Sequence, residues 1–235
     1  AIANGADVSN VPQVEAMVKE VMDTWGRIDV LINNAGILRD VSFAKMSKGD
    51  WDLVLAVHLT GSMSVTHAAW PIMREQGFGR VVMTTSAAGI YGNFGQSNYG
   101  AAKAAMIGLM NVLHIEGARN NIRVNTLAPT AATRMTEELL PPEAAALLAP
   151  ELITPGLLYL VSEDAPSKVI LGAGAGSFAQ TRVYETQGIT LTGDDNTPEA
   201  VAEGVRRYAD RYRPPKERDD RVVVEVSVDK IVGRA

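Results

Sequence analysis

Short apolar runs alternate with longer amphipathic stretches along the chain. Buried strands are predicted at residues 28–33, 80–85, 122–127 and 168–172. The spacing of the apolar residues predicts helices over residues 11–25, 51–76, 97–119 and 152–162. Strands that alternate with helices build βαβ units, whose right-handed crossovers give a parallel sheet that is covered on both faces. The pattern therefore predicts an α/β fold with a doubly wound parallel sheet.

The charge pattern changes after the last predicted strand. From residue 199 onward, charged side chains are much denser than in the chain as a whole. Residues 197–211 have the pattern of a surface helix with Thr197 as its N-cap, and a Pro-Pro pair follows it. We predict a main domain over residues 1–178 and a charged C-terminal extension over residues 179–235.

The composition excludes several classes of protein. The chain of 235 residues has no cysteine, which excludes disulfides, thiolate zinc sites and cysteine nucleophiles. Its net charge of −5 argues against nucleic acid as the main partner. No apolar run reaches the ~18 residues that a membrane-spanning helix needs. These observations favour a globular protein that does its chemistry without sulfur.

Three residues suggest acid–base chemistry. Tyr99 and Lys103 are four apart in a predicted helix, which places both side chains on one face. A neighbouring ammonium lowers the pKa of a phenol, and such a phenol can act as a general acid or base. Ser86 follows a strand, at the edge where open α/β sheets bind ligands, and could donate to a substrate oxygen. Each also has an ordinary explanation, because Tyr–Lys pairs occur by chance and serine commonly caps helices.

A group of small residues follows the first predicted strand. Residues 33–36 (NNAG) would let the backbone approach a flat ligand, although two Asn and a Gly suit a simple turn equally well. Asp7 and Val8 stand where a further strand could end, ahead of the first predicted helix. Alone, neither group indicates a particular ligand.

The sequence resembles the short-chain dehydrogenases/reductases up to about residue 176. The resemblance rests on the order and spacing of residues 33–36, Ser86, Tyr99 and Lys103. The resemblance implies a Rossmann fold, a nicotinamide cofactor and hydride transfer between an alcohol and a carbonyl. Three further strings are similar to one subgroup, the (3R)-hydroxyacyl-CoA dehydrogenase domain of multifunctional β-oxidation enzymes; they lie at residues 33–40, 90–99 and 134–136. That subgroup oxidises 3-hydroxyacyl-CoA to 3-ketoacyl-CoA with NAD. NADP stays open, because the residue that selects the nucleotide normally ends a strand that this sequence lacks.

The resemblance also implies roles for the site residues. Tyr99 would be the general base, Lys103 would lower its pKa and bind the nicotinamide ribose, and Ser86 would hold the substrate oxygen. Further cofactor contacts would come from Asp7, Val8, Asn34, Ala35, Gly36, Pro129 and Thr133.

Two positions depart from the family pattern. His58 stands where most members have an Asn that joins a water relay to the lysine, although the hydroxyacyl-CoA subgroup is similar to this sequence there. Its imidazole could relay protons as a further catalytic group, or it could be a packed helix residue, and the sequence leaves both open. Pro129-Thr130 replaces the usual Pro-Gly, which affects the expected contacts with the nicotinamide carboxamide.

Substrate and partners follow from the resemblance as well. Residues 131–150 resemble the substrate lid of the family, although an ordinary amphipathic helix pair has the same composition. Arg39 and Arg134 could meet the phosphates of an acyl-CoA. In the family, the helices that correspond to residues 97–119 and 51–76 pair with their copies across a dimer axis, so the resemblance implies a homodimer or homotetramer. The small residues of the first helix would permit that close approach, while tight packing on the sheet explains them too. We expect no nucleic acid and no membrane partner, and a cytoplasmic location, or a peroxisomal one in a eukaryote.

One element of a Rossmann nucleotide site is missing from the sequence. Such a site needs a glycine-rich loop after its first strand, and none precedes Asn33; the glycine-rich residues 172–176 follow the last predicted strand. If residues 1–4 are the third strand of the order 3-2-1-4-5-6, the first two βα units, of ~30 residues each, are lacking. We then expect the natural protein to extend upstream, with residues 1–178 as an incomplete dinucleotide-binding catalytic domain. The strand at residues 28–33 would expose an apolar edge.

Three functions therefore remain open. The first is a hydroxyacyl-CoA dehydrogenase, and the second is another reductase of the family, acting on a ketoacyl-carrier protein, a steroid or a simple alcohol. The third is a non-catalytic scaffold or binding module, because no phosphate loop is present. The intact set of Ser86, Tyr99 and Lys103 argues against the third.

Overall fold

The predicted strands form one sheet in the computed structural model, which describes residues 1–133, 147–185 and 188–211, the side chains of 208–211 excepted. The strands are β1 Val30–Asn33, β2 Gly79–Thr84, β3 Ile122–Thr130, β4 Ile170–Gly174 and β5 Ser177–Thr181. They lie in the order β1-β2-β3-β4-β5, and the first four are parallel. The predicted fold class, α/β with a doubly wound parallel sheet, is confirmed.

The described chain has seven α-helices, the last of which belongs to a second compact unit that begins at Arg182. They are α1 Val11–Trp25, α2 Lys48–Leu55, α3 Ser62–Gln76, α4 Ala87–Tyr91, α5 Ser97–Gly117, α6 Thr154–Val161 and α7 Pro198–Arg211. Helix α1 has the predicted bounds, because both of its ends are capped. The Asn10 side chain accepts from the backbone N–H of Gln13, and Gly26 ends the helix in the left-handed region at φ 71°.

The two faces of β2 pack against different helices. Val81 and Met83 point into a cluster with Met106 of α5, whereas Val82 points into a cluster with Leu160 of α6. All five side chains are fully buried or nearly so. This alternation places β2 at the centre of the core, with α5 packed against one face of the strand and α6 against the other.

The helical segment predicted at residues 51–76 is longer and less regular than expected. It begins at Lys48, because the Ser47 side chain accepts from the backbone N–H of Asp50 and caps the first turn. Between α2 and α3 the chain forms a π-helical turn over Ala56–Gly61. A π turn adds one residue without a change in amino-acid type, so the apolar spacing does not reveal it. His58 lies in this turn.

The sequence suggested that the glycine-rich residues 172–176 follow the last strand, and the structure shows that they do not. They form the end of β4 and a hairpin turn into β5, which runs antiparallel to β4 at the edge of the sheet. Ala175 and Gly176 form the turn with φ values of 48° and 72°. Two successive positive φ values suit the twist of a two-residue hairpin. The sequence missed β5 because Ala-Gly is a weaker turn signal than Asn-Gly.

Residues 1–4 are not a strand, contrary to the interpretation that makes them the third strand of the sheet. A strand forms when a neighbour takes its backbone hydrogen bonds, and β1 pairs only with β2 in the described chain. The expected apolar edge is present: Val30 and Ile32 of β1 are each 42% exposed. A groove of about 340 Å³ runs beside them, between β1, α1 and α3.

The chain divides into two compact units, one comprising Ala1–Thr181 and a second that begins at Arg182. The predicted boundary after residue 178 falls inside β5, and the division into a catalytic domain and an extension stays a prediction. In the second unit, Thr197 Oγ1 accepts from the backbone N–H of Ala200 and caps α7, as predicted. In the described part of the chain, no helix is long and apolar enough to cross a membrane.

Some predicted features lie outside the described residues. These are Arg134, most of the predicted lid, and the Pro-Pro pair that follows α7.

Candidate active site

Ser86 lies at the carboxyl edge of the sheet, where β2 gives way to α4. Its Oγ accepts from the backbone N–H of Ala88 at 3.2 Å, so the side chain caps α4. The hydroxyl also lies near enough to the Tyr99 side chain to favour the ionised phenol. The position of Ser86 thus suits both roles that the sequence suggested, helix cap and site residue.

Tyr99 and Lys103 lie one turn apart on α5, and both face the end of β2. The Nζ atom of Lys103 is 5.5 Å from the centroid of the Tyr99 ring and donates to the carbonyl of Thr84 at 2.7 Å. Lys103 is only 4% exposed. The structure therefore brings Ser86, Tyr99 and Lys103 together in one cluster.

Burial governs the protonation of this cluster. Burial raises the pKa of Tyr99 above its ordinary value, the nearby Ser86 hydroxyl acts against that rise, and the charge of Asp40 adds to it. Burial lowers the pKa of Lys103 to about 8. The net direction for Tyr99 is opposite to the lowering that the sequence predicted, because the cost of removing water from a phenolate exceeds what the Ser86 hydroxyl returns.

Thr84, the last residue of β2, connects the cluster to the residues after β1. Its carbonyl accepts from Lys103, and its hydroxyl donates to Oδ1 of Asn34 at 2.9 Å. The buried Asn33 side chain donates to the hydroxyl of Thr66 on α3 at 2.9 Å. Residues 33 and 34 therefore tie the end of β1 to β2 on one side and to α3 on the other.

His58 is buried beside Tyr99. The two rings meet edge to face, with centroids 5.2 Å apart and an interplanar angle of 86°. Nε2 lies 3.0 Å from the backbone N and 2.8 Å from the carbonyl O of Ile37, so it accepts from one or donates to the other according to the tautomer. Nδ1 is buried and has no hydrogen-bond partner among the described residues.

The surroundings keep this imidazole neutral. Burial, and then the charge of Lys103, lower the pKa of His58 to about 4. At pH 7 the ring therefore carries no charge, and its single proton is on either Nδ1 or Nε2. His58 is packed as a buried helix residue, and its part in a proton relay stays a prediction.

Gly36 allows the His58 ring to pack against the chain. A Cβ atom at Gly36 would collide with Cε1 of His58 and would lie 3.0 Å from Nδ1. The close approach of an imidazole explains this glycine. The sequence had offered a flat ligand or a simple turn as the reason for it.

Some of the predicted cofactor contacts lie along the groove beside β1. Val8, Asn34 and Ala35 line it together, mostly with apolar atoms. The carboxylate of Asp7 is exposed and accepts from the hydroxyl and the backbone N–H of Ser9, which hold its pKa below the usual value. Val8, Asn34 and Ala35 are therefore grouped in one place, whereas Asp7 faces its own turn.

The remaining predicted residues are more scattered. Pro129 lies in β3 and pairs with Ala173 of β4, one strand away from the end of β2. Thr133 is exposed, three residues after the end of β3. The guanidinium of Arg39 is half exposed and lies 3.9 Å from the carboxylate of Asp50.

Nothing in the sequence pattern singles out Thr84 or Asn98. Asn98 is completely buried, and its amide contacts three backbone groups around Tyr99. Neither residue belongs to a spacing motif, because the partners of each lie far away in the sequence or on the backbone. Their only signal was their position close to Ser86 and Tyr99 in the sequence.

Comparisons with known proteins agree with this arrangement. A family model described as short chain dehydrogenase matches residues 1–144. Peroxisomal multifunctional enzyme A of Dictyostelium discoideum is 48% identical over 203 residues, which are 85% of this chain and 46% of that protein. The chain thus spans less than half the length of this relative.

Solved structures show the same fold. Full-length peroxisomal multifunctional enzyme type 2 of Drosophila melanogaster superimposes with a TM-score of 0.71 and 36% identity, over 90% of this chain and 36% of that one. A short chain dehydrogenase from Mycobacterium avium gives a TM-score of 0.77 and 32% identity, over 92% of this chain and 76% of that one. The resemblance that the sequence suggested is confirmed. The chain belongs to the short chain dehydrogenase family, whose members are NAD(P)-dependent oxidoreductases acting on CH–OH groups.

Proposed function

We propose that this protein oxidises a 3-hydroxyacyl-CoA to a 3-ketoacyl-CoA, with NAD as the preferred cofactor and NADP as the alternative. The observation that carries the proposal is the cluster of Ser86, Tyr99 and Lys103 at the carboxyl end of β2. The choice of substrate is supported by relatives that are named peroxisomal multifunctional enzymes. The peroxisome, or the cytoplasm in a prokaryote, is the corresponding location.

The chain's own residues supply the proton chemistry. The hydroxyl of Ser86 donates to the substrate oxygen and holds it within reach of the Tyr99 phenol. Tyr99 takes the alcohol proton when it is ionised and returns one when it is protonated, so it serves oxidation as a base and reduction as an acid. When bound, the nicotinamide ring supplies the hydride acceptor for the substrate carbon.

Lys103 sets the charge around Tyr99. Its pKa of about 8 makes it a cation at pH 7, and its Nζ lies 5.5 Å from the Tyr99 ring. A cation at this distance favours the phenolate over the phenol. Because burial pushes the pKa of Tyr99 upward, oxidation is expected to speed up as pH rises toward 8, while reduction slows.

The residues present fit part of a dinucleotide. The apolar groove with Val8, Asn34 and Ala35 suits a flat aromatic group such as adenine. The buried ammonium of Lys103 suits a ribose hydroxyl as a second acceptor beside the Thr84 carbonyl. The residues before Asn33 include no glycine-rich loop for the pyrophosphate, so this fit covers the two ends of the cofactor only.

The acyl-CoA and a second protomer have candidate surfaces. The half-exposed guanidinium of Arg39 can meet a CoA phosphate. The outer face of α5 is apolar and exposed, and it is the face on which we expect a homodimer or homotetramer to form. Its residues are Ala101, Ala104, Gly108, Val112 and Ile115.

A substrate panel tests the proposed function. NADH formation is measured for the purified protein with (3R)-3-hydroxybutyryl-CoA, a hydroxysteroid, a simple secondary alcohol and a 3-hydroxyacyl-carrier protein. The highest kcat/KM with the CoA ester is the expected result. A preference for another alcohol would indicate a different reductase, and no turnover with any of them would indicate a scaffold.

A further inference from the structure

Asn98 precedes Tyr99 on α5 and is completely buried. Its Nδ2 donates to the carbonyl of Arg39 at 3.1 Å and to the carbonyl of Asp50 at 3.4 Å. Its Oδ1 accepts from the backbone N–H of Tyr99 at 2.7 Å. Both donor hydrogens and the acceptor of this amide are therefore used, and all three partners are backbone groups.

The bond to Tyr99 supports the beginning of helix α5. The first N–H groups of a helix have no partner within the helix, and the residue before α5, Gln96, provides no side-chain cap. Asn98 supplies an acceptor for one of these groups from inside the first turn. The backbone of Tyr99 is consequently fixed by its neighbour.

The other two bonds reach residues that lie far away in the sequence. Arg39 belongs to the loop that leaves the NNAG motif, and Asp50 belongs to the first turn of α2. The same loop is held by His58 at Ile37 and by Gln96, whose amide donates to the carboxylate of Asp40 at 2.6 Å. Asn98 thus connects the start of α5 to a loop that His58 and Gln96 also hold, at Ile37 and at Asp40.

We propose that Asn98 is a positioning residue, which sets Tyr99 relative to the loop at residues 37–40. The proposal rests on the proposed function, in which the Tyr99 phenol must lie within hydrogen-bond reach of a substrate oxygen. A misplacement of about 1 Å in such a site costs about 10²-fold in rate. Asn98 has no contact with the Tyr99 hydroxyl, so it acts only through the backbone it holds.

A matched control is available in the same chain. Asn125 of β3 is also completely buried, and its amide also makes three bonds to backbone groups, those of Leu160, Pro166 and Val169. These partners lie toward the amino ends of the strands, opposite the edge that carries Ser86. Replacing Asn125 therefore removes an equivalent set of contacts without touching Tyr99.

The test compares Asn98→Ala, Asn98→Asp and Asn125→Ala in the purified protein. Aspartate keeps an acceptor for the Tyr99 N–H but has no N–H to donate to Arg39 or Asp50, so it separates the two halves of the role. The thermal midpoint of each variant is measured first. At a temperature below all of these midpoints, we then measure kcat and KM with NAD and (3R)-3-hydroxybutyryl-CoA, and the rates of amide hydrogen exchange.

We expect Asn98→Ala to lose about 10²-fold in kcat with KM for NAD unchanged. Asn125→Ala should lower the thermal midpoint comparably and keep kcat. Exchange should quicken at residues 37–41 in both Asn98 variants, and at the Tyr99 amide in Asn98→Ala only. Equal kcat in Asn98→Ala and Asn125→Ala, or unchanged exchange at residues 37–41, would overturn the proposal.

The exchange measurement needs no substrate. If the unaltered protein shows no turnover with the CoA ester, the proposed function fails. The comparison of exchange at residues 37–41 and at Tyr99 then still decides whether Asn98 couples the loop to α5.

Discussion

Lys103 carries a positive charge in a place that burial makes unfavourable. Its pKa of about 8 in the fold, against 10.5 for an ordinary lysine, means that the folded state holds its proton less tightly than the unfolded chain. Each pKa unit corresponds to about 1.4 kcal/mol. The folded protein at pH 7 therefore carries a cost that a neutral side chain of similar length would remove.

Lys103→Met is expected to abolish turnover and yet to stabilise the fold by about 1–2 kcal/mol at pH 7, after the lost bond to Thr84 is deducted. The gain should shrink between pH 8 and pH 10.5, because the wild-type protein sheds the buried charge over that interval while its unfolded chain keeps it. Thermal melts across this range check it. Lys45→Met, at an exposed position, should change neither property.

His58 makes the fold sensitive to acid. Its pKa is about 4 in the fold and near 6.5 in the unfolded chain, so unfolding takes up a proton between these values. Stability should fall by up to about 3 kcal/mol as pH drops from 6.5 to 4. His58→Asn can still offer an N–H and a carbonyl to Ile37, and it should flatten this slope.

Denaturant melts at pH 4.5, 5.5 and 6.5 measure that slope directly. His67→Asn serves as the control, because His67 is exposed on the same helical segment. An equal slope in the wild-type protein and in His58→Asn would show that other groups cause the loss.

At the scale of residues, the sequence revealed the groups that act through their own spacing. Tyr99 and Lys103 are four apart on one helix, and Ser86 follows a strand, so local pattern suggested them and the family resemblance singled them out. Asn98 donates to the carbonyls of Arg39 and Asp50, 59 and 48 positions away. The carbonyl of Thr84 accepts from Lys103, 19 positions away. No local rule encodes such contacts, and the neutral state of His58 depends on burial that only the fold creates.

Helix α4 must lie very close to α5 to place Ser86 against Tyr99. A Cβ atom at Gly89 of α4 would lie 2.7 Å from the backbone N of Ala104 and from the C and Cβ atoms of Lys103. Most of these atoms are backbone and cannot move aside. Gly89 is therefore the residue that permits this helix contact.

Gly89→Ala should destabilise the protein by about 1–3 kcal/mol and lower kcat, because α4 must move away from α5 and carries Ser86 with it. Gly49→Ala, in α2, is the matched control: its Cβ would meet only the Ser47 Oγ at 3.8 Å. It should be neutral or stabilising by about 0.5–1 kcal/mol. Thermal melts and steady-state kinetics of both variants decide the matter.

The regular elements were predictable and the irregular ones were not. Helix α1 ends at Trp25, directly before the capping Gly26. Each of the strands β1 to β4 overlaps one of the predicted apolar runs. Two irregular features were not predicted from the sequence. They are the π turn that contains His58 and the hairpin that leads into β5. The hairpin needs a positive φ at Ala175, which alanine rarely adopts, and the π turn uses residue types that an ordinary α-helix also accepts.

At the scale of the molecule, the described sheet has two different edges. β5 closes one edge with an antiparallel strand, whereas β1 leaves Val30 and Ile32 open beside an apolar groove. The sequence anticipated this open edge from the strand order of the family. It could not anticipate that Val8 would lie against Gly61 of the π turn, where a Cβ would come within 2.8 Å of it.

The central claim is that Tyr99 carries the proton in a dehydrogenase reaction. The most direct measurement compares NADH formation from (3R)-3-hydroxybutyryl-CoA by the unaltered protein, Tyr99→Phe and Tyr91→Phe, together with the affinity of each for NAD. Tyr91 is 74% exposed and provides the matched loss of a phenol hydroxyl. We expect Tyr99→Phe to lose about 10²–10⁴-fold in kcat with NAD affinity retained, and Tyr91→Phe to keep the rate. Undiminished turnover by Tyr99→Phe would contradict the claim.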